Sequence, residues 1–123
     1  MSKNRSSEPE VVVTRRSMCP VACSLDVLGD RWTLLVVRDL FLGRSRFKDF
    51  MSSPEGIPTN ILTDRLERLV RFGLVERIPA ADGTKRQAYC LTQKGQALNP
   101  VVCAIRDWGL QWQEGTEVRM QSH

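Results

Sequence analysis

Between Gly56 and Gly73 the apolar residues Leu62, Leu66, Leu69 and Val70 recur at steps of three and four, which on a helix gathers them into one stripe. Asn60, Asp64, Arg68 and Arg71 fall roughly opposite. Pro58 and Thr59 suit the first turn, as a residue that needs no N–H partner and a hydroxyl able to cap, and Gly73 suits a left-handed stop. The pattern predicts a short amphipathic helix, bounded at both ends, with a polar and partly cationic outer side. A solvated surface helix carries the same signature. Its neighbours in the chain decide between the two readings.

Upstream, Ser45 to Met51 reads as a short capped helix, separated from the amphipathic one by Ser52-Ser53-Pro54-Glu55-Gly56, a longer turn than the tight helix-turn-helix uses. Downstream, Leu74–Ile78 and Gln87–Leu91 are β-prone runs around a loop whose Asp82-Gly83 supplies a turn, which predicts a hairpin. Lys85 and Arg86 lie near its tip. A helix followed by a basic hairpin is the pattern of a winged helix, with the amphipathic segment as its DNA recognition helix. Before it, Cys19–Leu28 reads as a helix with Pro20 in its first turn. Gly29-Asp30 breaks it, and Asp30 is placed to cap a helix over Arg31–Leu42 that Gly43 ends. Apolar residues on nearly all sides make that helix the centre of a small bundle. Thr92 caps a last helix from Gln93, which Pro100 should bend. Beyond the bend Val101, Ile105, Trp108 and Trp112 form a second apolar stripe, fitted either to the domain's own core or to a dimer seam.

Length and charge narrow the class. A chain of 123 residues is one domain, and 18 Lys+Arg against 14 Asp+Glu give a net charge of +4, which suits a polyanion if the cations cluster. Residues 1–16 lack periodicity and read as a flexible arm, residues 17–113 as the folded domain and 114–123 as a tail. No apolar stretch is long enough to span a membrane, so the expected location is the cytoplasm, where the four cysteines stay reduced.

The expected fold is therefore mainly α with a small β-hairpin wing. Thr59, Asn60, Thr63, Asp64 and Arg68 would offer hydroxyl, amide, carboxylate and guanidinium groups to base edges and nearby phosphates in a major groove. Arg65 lies toward the apolar stripe and pairs either with Asp64 or with a phosphate. Arg31, Arg46, Lys48, Lys85 and Arg86 would grip the phosphate backbone, adding affinity without sequence information. Cys19 sits just before Pro20 at a helix start, with Arg15 and Arg16 close by, a setting that favours the thiolate a redox sensor needs; a buried inert thiol is the alternative. Cys23, four residues on, is poorly spaced for a local disulfide on a regular helix. Cys90 and Cys103 lack zinc-ligand spacing and the sole histidine is His123, so neither metal nor other cofactor is expected. A thiol oxidoreductase fits poorly as well: the spacing is C-x-x-x-C, without a Ser-His-Asp set or a phosphate loop.

An ordered series of motifs runs through the chain. It comprises Cys19-Pro20, Leu25-Asp26-Val27-Leu28-Gly29-Asp30-Arg31-Trp32-Thr33-Leu34-Leu35, Leu42-Gly43 with Arg46-Phe47, Gly56-Ile57, Leu62-Thr63 with Arg65-Leu66, Gly73-Leu74-Val75, and Tyr89, Leu91-Thr92 and Gly95. Over roughly residues 19–112 this resembles the HxlR-type, MarR-like winged helix-turn-helix regulators. The resemblance implies a transcription factor that dimerises through its terminal helices and binds double-stranded DNA at a partly palindromic operator, with repression the expected sign and an oxidant or small molecule as effector. It also implies that the cysteine at position 19 is the oxidation-sensitive one, as in several members of that family. The competing reading is a winged helix that binds protein and has no sequence-specific affinity for DNA.

Overall fold

The structure is a computed structural model and describes residues 17–79 and 87–118. In chain order its elements are α1 (Pro20–Leu28), α2 (Thr33–Phe41), α3 (Phe47–Met51), α4 (Thr59–Arg71), β1 (Val75–Pro79), β2 (Gln87–Leu91), α5 (Gln93–Gln96) and α6 (Asn99–Trp112). The expected arm over residues 1–16, the Asp82-Gly83 turn and the end of the tail lie outside the described residues.

The core forms where the apolar stripe of α4 meets the central helix. Leu62, Leu66 and Leu69 join Val36, Val37 and Leu40 of α2 in one buried cluster, which Phe50, Ile57, Leu74 and Val75 complete. Asp30 caps α2 as its position suggests, its carboxylate accepting the N–H groups of Trp32 at 3.0 Å and Thr33 at 3.2 Å. Regular helix therefore begins at Thr33 rather than at Arg31.

The end of α4 is fixed in detail. Gly73 adopts a φ of 79°, the left-handed conformation its lack of a Cβ permits. Its N–H then reaches Val70 O at 3.0 Å and the N–H of Leu74 reaches Leu69 O at 2.9 Å, the paired bonds of a Schellman stop. Lys94 Nζ donates to Phe72 O at 2.9 Å, a cation placed at the negative end of the helix. At the other end Thr59 does not cap. It lies inside the helix after Pro58, and its hydroxyl faces Met51 Sδ at 3.8 Å.

β1 and β2 pair antiparallel, with Val75 opposite Leu91 and Pro79 opposite Gln87. A third segment joins the hairpin: Ser45 O accepts the N–H of Tyr89 at 2.8 Å, and Arg46 bridges to Ala88. The backbone leading into α3 thus anchors the wing. Pro100 does not bend a continuous helix as expected. A proline is tolerated in the first turn, so the chain ends α5 at Gln96 and starts α6 afresh at Asn99 with Pro100 next. No residue of α6 is fully buried.

Candidate nucleic-acid interface

Because Leu62, Leu66 and Leu69 face the core, the opposite side of α4 is presented outward over its first half. Thr59, Asn60, Thr63 and Asp64 are all exposed there. Thr63 Oγ1 donates to Thr59 O at 3.0 Å, which sets its rotamer while leaving the hydroxyl oxygen able to accept. Glu67 and Arg71 continue the exposed face, and Arg71 lies 5.7 Å from the Phe72 ring centroid.

Arg68 departs from the expected outward placement. Its guanidinium folds back, donating to Val27 O at 3.3 Å and Asp26 O at 3.5 Å at the end of α1, and lies 3.9 Å from Asp30 Oδ1. The carbonyls at a helix C-terminus attract a cation, and this attraction competes with solvent for Arg68. Arg65 also turns inward: its Nε donates to Asp30 Oδ2 at 2.7 Å and its Nη1 to Asp64. Burial would raise the Asp30 carboxyl, but hydrogen bonds from Arg65, Thr33 and the Trp32 N–H, with the Arg65 charge, hold it well below the usual carboxylate range. The same contacts hold the Arg65 guanidinium firmly protonated.

Around this face stand the cations expected to grip phosphates. Arg46 and Lys48 line a shallow cleft with Phe47, Gln87 and Tyr89 where α3 meets the wing. Gln87 and Tyr89 have no signature in the sequence, because only the pairing of β2 with the Ser45 segment brings them beside α3. Arg31 is exposed and stacks at 4.9 Å on the Trp32 ring centroid. Lys85 and Arg86 lie outside the described residues.

Beneath α3 a buried ionic knot fixes the turn leading into α4, and nothing in the sequence pattern signals it. Asp39 of α2, its side chain only 4% exposed, pairs with Arg38 Nη2 at 2.8 Å and Arg44 Nη1 at 2.9 Å, and accepts the Ser53 hydroxyl. Arg38 reaches on to Glu55 at 2.8 Å. That contact outweighs burial and lowers the Glu55 carboxyl.

The terminal helices carry the remaining features. Ile105, Trp108 and Trp112 on α6 are 52%, 58% and 63% exposed, and Val101 is 39% exposed. Val102, one residue round the helix, packs on the core instead. Met18, Val21 and Leu25 leave a second exposed apolar run beside and along α1, legible in hindsight from their helical spacing. Cys19 is exposed at the N-cap of α1, and Cys23 Sγ donates to Ser17 O at 3.2 Å. Cys90 is half-buried on β2, where burial and the facing Glu76 push its thiol up. Among the described residues no helix is long and apolar enough to cross a membrane.

Comparison with known proteins agrees with this architecture. The profile of the HxlR-like helix-turn-helix family matches residues 27–117. An uncharacterized HTH-type transcriptional regulator of Mycobacterium tuberculosis (strain CDC 1551 / Oshkosh), MT3179, is 34% identical over 106 residues, covering 84% of this chain; the chain spans 66% of that relative's length. Among solved structures, PA1607, a proposed transcription factor, superposes with a TM-score of 0.77 at 44% identity, covering 85% of this chain and 75% of its own. The redox regulator HypR in its oxidized form gives a TM-score of 0.69 at 30% identity, covering 81% of this chain and all (100%) of its own.

Proposed function

This chain belongs to the HxlR-like helix-turn-helix family, and on that footing we propose that it is a sequence-specific DNA-binding regulator of transcription. It acts as a homodimeric repressor at a partly palindromic operator. The observation that carries this reading is the outward face at the start of α4, where Thr59, Asn60, Thr63 and Asp64 stand clear of the core on a helix locked at its far end. Such a helix fits a major groove, and its amide and hydroxyl groups match the hydrogen-bonding edges of bases. Arg46, Lys48 and Arg31 supply phosphate contacts that orient it, and Lys85 and Arg86 add to them from the wing. Two copies pair through the apolar stripe of α6, with the exposed run at α1 alongside, setting the recognition helices about one DNA turn, ~34 Å, apart.

Titration of the protein with DNA from its own upstream region and with random duplex tests the reading. Asn60→Ala should weaken operator binding by about 1–3 kcal/mol if Asn60 makes a bidentate base contact, and leave random-duplex binding nearly unchanged. Equal, weak affinity for both duplexes in the unaltered protein would favour a winged helix that binds protein.

The regulator responds to oxidants through Cys19. Its exposed position at the N-terminus of α1 and the likeness to HypR, whose oxidized form has been solved, support this assignment. Diamide, which couples two thiols into a disulfide while its azo group takes up their two protons and two electrons, should alter operator affinity of the unaltered protein and leave Cys19→Ser insensitive. An identical response in both proteins would remove Cys19 from the mechanism and point to Cys23, Cys90 or no thiol at all.

A further inference from the structure

Arg65 and Arg68 lie three residues apart on one flank of α4, beside the face proposed to enter the major groove. On DNA that flank runs along a phosphate backbone, and two arginines there would ordinarily add two sequence-blind contacts. Both are turned inward instead, and Asp30 is the carboxylate they share, although Arg65 also meets Asp64 and Arg68 donates to the carbonyls of Val27 and Asp26. Asp30 takes Arg65 Nε at 2.7 Å and lies 3.9 Å from Arg68 Nη1, and the same group accepts the N–H donors of Trp32 and Thr33 at 3.0 and 3.2 Å. The side chains of Arg65 and Arg68 retain only 17% and 24% exposure, so a phosphate would have to break a shielded, multiply bonded arrangement to recruit them.

We propose that Asp30 is a specificity-determining residue which, by occupying Arg65 and Arg68, withholds them from the phosphate backbone and keeps the sequence-independent part of DNA affinity low. Asp30 acts through the two arginines and touches no DNA itself. The inference rests on the DNA-binding function proposed above.

Asp30→Asn separates the two duties of this side chain. Asparagine caps a helix about as well as aspartate, so α2 keeps its start while the charge that holds the arginines is lost. In anisotropy titrations of the full chain against a random-sequence duplex over a salt series, the variant should bind about three- to tenfold tighter near 0.1 M salt. Its slope of log affinity against log salt should steepen by about one to two units, at roughly 0.9 per phosphate neutralised. The ratio of operator to random affinity should fall. Arg65→Gln provides a second measurement that does not depend on how well Asp30→Asn folds. In the otherwise unaltered protein it should leave the slope within about 0.3 of its starting value, and in the Asp30→Asn background it should bring the steepened slope back by about one unit. An Asp30→Asn slope equal to that of the unaltered protein overturns the proposal, as does an Arg65→Gln single variant whose slope becomes shallower by about one. Failure of the unaltered protein to bind any duplex overturns the DNA-binding function and this proposal with it. Binding with an unmoved slope overturns this proposal alone.

Discussion

Replacing both Trp108 and Trp112 by alanine is expected to convert the proposed dimer to a monomer and to lower operator affinity by about a hundredfold or more. The two rings are 58% and 63% exposed on a helix with no fully buried residue, so they contribute little to the fold of a single copy. In the proposed pair of copies they would be the large apolar anchors of the seam, the residue type that carries most of an interface's energy. Each half-site contact taken alone is weak. Joining two recognition helices makes the second contact intramolecular, which raises overall affinity by about 10²–10⁴, and the double substitution removes that gain without touching α4. Light scattering at micromolar concentration reads the assembly, anisotropy reads the operator, and the variant should still unfold cooperatively, at a midpoint lowered only by the loss of subunit association. A double variant that remains dimeric would remove α6 from the seam and leave the α1 run to be tested.

Elements built from local rules were legible in the sequence, and those built from long-range contact were not. The extent of α4 follows from Pro58, Gly73 and the three- and four-residue spacing of its leucines, all of which act within a few residues. The hairpin strands, the Asp30 cap and the Thr92 cap, whose hydroxyl accepts the Gly95 N–H at 3.1 Å, are local in the same way. Two features the sequence did not reveal have distant causes. Arg68 turns inward because the end of α1, some forty residues earlier in the chain, offers it the carbonyls of Asp26 and Val27. The Ser45 segment joins the wing through a partner at Tyr89, and no period in either stretch announces that pairing. At Pro100 the local rule admits both a bend and a fresh start, and the chain takes the second. The site shows the same division: the exposed positions of α4 follow from helical geometry, whereas the placement of Arg65 and Arg68 depends on Asp30 and the end of α1.

Asp39→Ala is expected to cost about 3–5 kcal/mol of stability, the range for removing one partner from a buried ion cluster, out of the roughly 5–15 kcal/mol that a domain of this kind possesses. Aspartate at this position answers two guanidinium groups and a hydroxyl at once. Alanine leaves Arg44 without that carboxylate, and leaves the Ser53 hydroxyl facing a void in a region where Ser53 itself is buried. Arg38 retains Glu55, so the loss falls mainly on Arg44 and Ser53. Urea unfolding measures the effect: with a slope of about 1–3 kcal/mol per molar, the midpoint should drop by one molar or more. Asp39→Asn keeps an acceptor for Ser53 and should lose less, which separates the hydrogen bond from the charge. The consequence for function follows from position. Ser53 and Glu55 belong to the turn between α3 and α4, so loosening Asp39 frees the angle at which α4, the proposed recognition helix, is presented, and operator affinity should fall at temperatures where the variant is still folded. A midpoint within about 0.3 M of the original would show that solvent already screens the cluster and that the apolar contacts of Phe50 and Ile57 hold the turn.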